Sequence, residues 1–199
     1  AAVAILLFVL LYKFCDAFAG VLIAPFVIAV GFDKATYAAI VKGVGFGAAL
    51  AGGFAGGLVA RAFPLATALW IGAFLQMGSN LMFAWQAVIG VDYTTLTIAI
   101  VVENFAGGIG TVIFVAYLSA LCASRAHTAT QFALLTALAA VGRTVLAAGG
   151  GYMAEATGWT LFFVITALSA VPSIMLLAWL QARGHFVGLE PPRQLNAED

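Results

Sequence analysis

Charge is scarce in this sequence. Of 199 residues only 8% are Asp, Glu, Lys or Arg, where a soluble domain carries about 25%. Eight bases balance eight acids, so no basic surface exists to hold a nucleic acid. Cysteine is nearly absent too. Two residues cannot build a disulfide framework, and Cys15, inside an apolar stretch, and Cys122, at the end of one, read as small core residues. Histidine is limited to His127, in a loop, and His185, in the tail. No His-Glu-x-x-His or Gly-x-Ser-x-Gly occurs, and Asp16 is the only aspartate inside an apolar run. Neither an enzyme, a metal centre nor a cofactor is expected.

What is abundant is apolar. Hydrophobic residues make up 64% of the chain, with 22 Gly, and mean hydropathy is +1.12. A water-soluble fold of this length could not bury so much apolar surface. An all-α integral membrane protein is therefore expected, and Gly is frequent in membrane helices.

A spanning helix needs about 20 mostly apolar residues. Six such stretches stand out, at 2–30, 36–60, 65–89, 94–122, 128–154 and 159–181. Turn or charge signals separate them, such as Gly31-Phe32-Asp33-Lys34 and Gly90-Val91-Asp92-Tyr93. The runs are solidly apolar, unlike the alternating strands of a β-barrel. A six-helix unit over 1–181 and a disordered polar tail over 182–199 are expected. The chain opens within an apolar run and has no basic n-region, which predicts an upstream part rather than a signal peptide.

With six spans, Arg61, Arg125, Arg183 and Arg193 share one side and Lys34 is the only base on the other. Excess Lys and Arg mark the cytoplasmic face, so both termini are expected there.

Five ionisable residues lie inside the stretches: Lys13, Asp16, Lys42, Glu103 and Arg143. Each costs about 2.5–3.5 kcal/mol at the centre of a lone membrane helix, so they are expected to face one another or water. The first, second, fourth and fifth stretches should then line a polar interior, with the third and sixth as outer supports. Lys13 and Asp16 share one face near mid-depth. By helical rise, Glu103 lies roughly 14 Å from one end of its span and Arg143 roughly 16 Å, so the two are level. Lys42 can snorkel to the surface.

The sequence also echoes itself. Asp16-Ala17-Phe18-Ala19-Gly20 matches Glu103-Asn104-Phe105-Ala106-Gly107 as acid, any, Phe, Ala, Gly. The two stretches run in opposite directions, as an inverted three-plus-three repeat requires, and transporters of that kind bind substrate at mid-depth. Gly45, Ala49, Gly53 and Gly57 form a small-residue stripe suited to close helix approach. Gly107, Gly108 and Gly110 follow the acid, leaving room there for movement and water.

These motifs resemble a family. Leu11-Tyr12-Lys13-Phe14-Cys15-Asp16-Ala17, Glu103-Asn104-Phe105, Ala116-Tyr117-Leu118-Ser119 and Thr128-Ala129-Thr130-Gln131-Phe132 look like the C-terminal half of the AmpG muropeptide permeases, in the major facilitator superfamily. Gly142-Arg143-Thr144 continues the match. The resemblance implies proton-coupled import of anhydromuropeptides, which are glycopeptides, across a bacterial inner membrane. Such a solute carries stem-peptide carboxylates, so the cation Lys13 or Arg143 is expected to face them, with Asn104, Tyr117 and Gln131 as further substrate-facing residues, and Glu103 ahead of Asp16 is the expected proton-coupling acid. The resemblance implies a partner as well: an N-terminal six-helix half, or a second copy of the chain. Arg61 falls in a stretch similar to the superfamily's cytoplasmic gating loop, which departs at Ala60 and Phe63, where Asp and Gly are usual. Another solute, acetyl-CoA-like or a sugar, and a non-transporting sensor or assembly subunit remain alternatives.

Overall fold

The computed structural model describes residues 2–122 and 128–189. Those residues form helices and short turns: α1 (Ala2–Tyr12), α2 (Phe14–Val30), α3 (Lys34–Ile40), α4 (Phe46–Ala62), α5 (Leu65–Ile89), α6 (Tyr93–Leu121), α7 (Thr128–Ala147), α8 (Gly150–Thr157), α9 (Trp159–Leu168) and α10 (Val171–Ala182). A π-helical turn, Val41–Gly45, joins α3 to α4, and a 3-10 turn, His185–Gly188, follows α10.

Among the described residues, four runs are long and apolar enough to cross a membrane: Ala2–Val30, Lys34–Ala62, Tyr93–Leu121 and Trp159–Ala182. The remaining two stretches are helical, as α5 and α7. Large apolar side chains stay on the outside, among them Phe54, Leu58 and Val3. Such a surface suits lipid or another protein rather than water.

Several stretches are less continuous than the sequence suggests. The first breaks at Lys13, which separates α1 from α2. The fifth breaks at Ala148 and Gly149, the first residue of its glycine triplet, which caps α8. The sixth breaks at Ser169 and Ala170, ahead of Pro172 in the first turn of α10. Proline has no N–H to continue a helix and clashes with the turn before it, so the break precedes it.

The connections are built locally. Gly31 ends α2 in the left-handed conformation (φ 113°), its N–H bonded to Ile28 O while Phe32 N–H reaches Val27 O. A side chain would strain that backbone. Asp33 caps α3 by accepting from Thr36 N–H at 2.9 Å, and Asp92 caps α6 by accepting from Thr95 N–H at 2.6 Å. These bonds from Thr36 and Thr95 hold both carboxyls below the usual aspartate range.

Packing divides into two apolar layers. One gathers Phe18, Phe26, Phe83, Leu96, Phe162 and Phe163. The other gathers Phe8, Tyr12, Leu69, Ile113, Tyr117 and Leu177. Between the residues that the α1–α2 segment, α5 and α6 give to the two clusters lie polar side chains among apolar neighbours: Lys13 and Asp16, then Gln76, Ser79 and Asn80, then Glu103 and Asn104. A polar layer thus lies between two apolar ones.

The α4–α6 crossing is the closest. A Cβ on Gly108 would lie 2.6 Å from Ala49 O and 2.9 Å from Gly53 N, and one on Gly56 would lie 2.9 Å from the Ile109 backbone. The stripe at this contact is Gly45, Ala49, Gly52 and Gly56, whereas Gly57 has nothing within 4 Å. Gly52 and Gly56 take the closest contacts, the expected Gly53 stays at the edge of the contact, and the expected Gly57 falls outside it. The reason is geometric: a strict four-residue repeat drifts around a helix of 3.6 residues per turn, and steps of 4, 3 and 4 stay on one side.

Candidate functional site

Lys13 sits at the break between α1 and α2 and projects into the polar layer. Its ammonium donates to Asp16 Oδ2 at 2.6 Å, to Gln76 Oε1 at 3.0 Å and to Thr111 Oγ1 at 3.3 Å. A lysine ammonium has three protons, so all three are engaged. The Lys13 and Asp16 side chains are only 14% and 18% exposed. The expected mid-depth pair therefore forms, and two further helices hold it.

Gln76 was not foreseen as a contact. The third stretch carries no charge and reads as an outer support. In the structure Gln76 is buried, donates to Gly72 O at 3.3 Å and lies flat over Gly110, where a Cβ would collide with its amide. An amide next to a charged helix face was the available signal. Asn80, also buried, donates to Cys15 O and Cys15 Sγ, both at 3.1 Å. Cys15 and Cys122 are buried, as read.

The acid on α6 is held differently. Glu103 Oε2 accepts from Asn104 Nδ2 at 2.8 Å, and Asn104 also donates to Ile100 O at 2.9 Å. Among the described residues Glu103 has no ion-pair partner. The side chain of Arg143, on α7, lies outside the described residues, as do Arg125, Arg193 and His127. The glycines after Glu103 do not all leave open space, contrary to expectation. Gly108 is filled by the α4 backbone and Gly110 by Gln76, while Gly107 faces Asp16.

Other expected residues lie apart from the knot. Gln131 is exposed on α7, Lys42 is exposed in the π-helical turn, and Arg61 is exposed in the last turn of α4. Tyr117 has no exposed surface. Its hydroxyl lies 3.1 Å from His185 Nε2 and its ring meets Phe8 edge-on. In this fold it has no surface to offer a solute, because the start of the tail packs over it. The tail boundary shifts accordingly: Phe186 is buried, and packing continues to Leu189.

That contact sets a pH expectation. Burial holds the His185 imidazole below its ordinary 6.5. The docked turn favours neutral imidazole, so its stability is complete above the undocked value and declines as pH falls below it. Protection of the His185–Gly188 amides, taken as exchange relative to the intrinsic base-catalysed rate at each pH, should be weaker at about pH 5.5 than at about pH 7.5, and His185→Gln should remove the difference.

A recess of about 170 Å³ opens beside the knot. Lys13, Thr111 and Thr136 supply its polar atoms, and Phe114, Val115 and Leu118 supply apolar wall. Thr136 directs its hydroxyl proton to its own helix, 2.9 Å from Phe132 O, which leaves its oxygen able to accept.

Among the described residues, helices only, four apolar runs of membrane length and a charged interior knot fit a multi-pass membrane protein. Comparison with known proteins makes this more definite. The chain is 39% identical over 174 residues to the anhydromuropeptide permease of Escherichia coli K12, covering 87% of this chain and 35% of that protein. It is 34% identical over 182 residues to the putative transporter AmpG 4 of Rickettsia felis, covering 92% and 44%. A further relative, the putative transporter AmpG 1 of Rickettsia prowazekii, is 28% identical over 179 residues, covering 90% and 40%. No family model matches the chain. The chain is similar to permeases of the AmpG family over about 90% of its length and spans between about a third and under half the length of these relatives. All three relatives are named as permeases or transporters rather than enzymes.

Proposed function

We propose that the chain is part of a secondary active transporter that imports anhydromuropeptides from periplasm to cytoplasm, driven by protons. In this reading it is the C-terminal six-helix half of a major facilitator bundle, an inverted three-plus-three repeat in the bacterial inner membrane with both termini cytoplasmic. An N-terminal half, or a second copy, supplies the other wall of the solute path. The helices α5 and α7 complete the six spans.

The observation that carries this reading is the Lys13 knot. An ion pair held by amide and hydroxyl groups from two other helices is costly within an apolar bundle, and ionisable residues in such a setting mark solute or ion pathways. Its location in a layer between two apolar ones fits a mid-depth site. The solute-facing set is Lys13, Arg143, Asn104 and Gln131, and Arg61 belongs to the cytoplasmic gate.

Proton coupling is assigned to Glu103 before Asp16. A coupling group must meet different surroundings in the two open states. Asp16 is paired three residues away on its own chain segment, a distance that rocking helices hardly change. Glu103 has no such local base.

Vesicles with an imposed pH gradient test this. Glu103→Gln should lose gradient-driven accumulation of anhydromuropeptide and keep binding or exchange. Wild-type accumulation by Glu103→Gln together with failure of Asp16→Asn would reverse the assignment.

A further inference from the structure

We infer that the recess beside Lys13 receives a neutral hydroxyl or amide of the solute, in place of the Thr111 hydroxyl, and does not receive a solute carboxylate. The inference rests on the transport reading above and assigns Thr111, Thr136 and Gln76 to the solute site.

The coordination of Lys13 is the starting point. Its three protons have three acceptors, so a solute can bind the ammonium only by displacing one of them. Two are fixed. Asp16 is a charged partner at 2.6 Å, and its bond, ionised on both sides, is the strongest of the three. Gln76 is buried, tethered to Gly72 and seated on Gly110. Thr111 is the weak position: its bond is the longest at 3.3 Å, it is neutral, and it is the exposed contact at the recess.

Charge decides what can replace it. Asp16 already neutralises Lys13. A second carboxylate at the ammonium would leave a net negative cluster of Lys13, Asp16 and the solute group, in which the like charges repel. A neutral acceptor exchanges for the threonine oxygen without changing the charge. The opposite wall calls for a donor. Thr136 has committed its proton to Phe132 O and presents lone pairs. A hydroxyl or an amide both accepts and donates; a carboxylate only accepts. Anhydromuropeptides carry both kinds of neutral group on their sugar rings and peptide stem.

A ligand-by-residue cycle tests the inference. The protein in native membranes is assayed for binding of a labelled anhydromuropeptide and of the same ligand with its stem carboxylates converted to amides. Lys13→Met, made together with Asp16→Asn so that no unpaired charge is left, and Thr136→Val are compared with wild type. Thr136→Val should weaken both ligands by the same factor, about two- to tenfold for one neutral hydrogen bond. The double variant should likewise weaken both equally. The inference is overturned if the double variant costs the native ligand about tenfold more than the amidated one, the mark of a desolvated charge pair. It is equally overturned if Thr136→Val binds both as wild type does. If wild type binds neither ligand, the transport reading itself falls and takes this site with it. Carboxylate coupling in a wild type that does bind removes only the inference.

Discussion

Replacing Lys13 by Met should destabilise the protein by about 3–5 kcal/mol, because it leaves Asp16 charged and unpaired in a poorly hydrated layer. The neighbours add to that cost. Gln76 Oε1 and Thr111 Oγ1 lose their donor, and Gln76 cannot turn away, since Gly72 and Gly110 fix its amide. The companion variant carries Lys13→Met and Asp16→Asn together. It removes both charges, and replacing a whole buried pair is often nearly neutral. Thermal unfolding in lipid nanodiscs should place the double variant within about 1 kcal/mol of wild type and the single variant far below it. Equal losses would show that the pair contributes through packing of its aliphatic parts and not through charge. Transport should fail in both variants, which separates stability from function.

Gly108→Ala should be nearly as damaging, by a different mechanism. The new methyl would lie 2.6 Å from Ala49 O and 2.9 Å from Gly53 N. Both are backbone atoms, so no side-chain rotation relieves the clash and α4 must move away from α6. Overpacking of this kind costs about 1–3 kcal/mol where side chains can yield, and backbone contact puts Gly108 at the top of that range. Gly57→Ala is the matched control. Nothing lies within 4 Å of its Cβ position, and alanine is favoured over glycine in a helix by up to about 1 kcal/mol. The control should melt at or above the wild-type temperature and Gly108→Ala well below it. Coincident melting curves would mean that the α4–α6 crossing has no close contact at Gly108.

Much of this was legible in the sequence, for reasons of scale. Membrane class follows from composition, since no arrangement in water hides a chain that is 64% hydrophobic. The Lys13–Asp16 pair was legible because three residues along a helix bring two side chains together whatever surrounds them. The Asp33 and Asp92 caps and the Gly31 turn are equally local. Similarity to the family was readable from short motifs carrying charge and amide groups.

What the sequence alone could not decide depends on distance along the chain and on small rotations. Gln76 lies 63 residues from Lys13 and Thr111 lies 98, so only the packing of α5 and α6 around the α1–α2 break makes them its partners. The choice of Gly52 and Gly56 over Gly53 and Gly57 turns on about 100° of rotation per residue, which the crossing of two helices selects and composition does not. Tyr117 is among the expected substrate-facing residues, yet the 3-10 turn at His185 closes over it. Local chemistry determined which groups are charged, capped or turned; tertiary packing decided which of them meet, because contacts between distant helices depend on where whole helix faces come to rest.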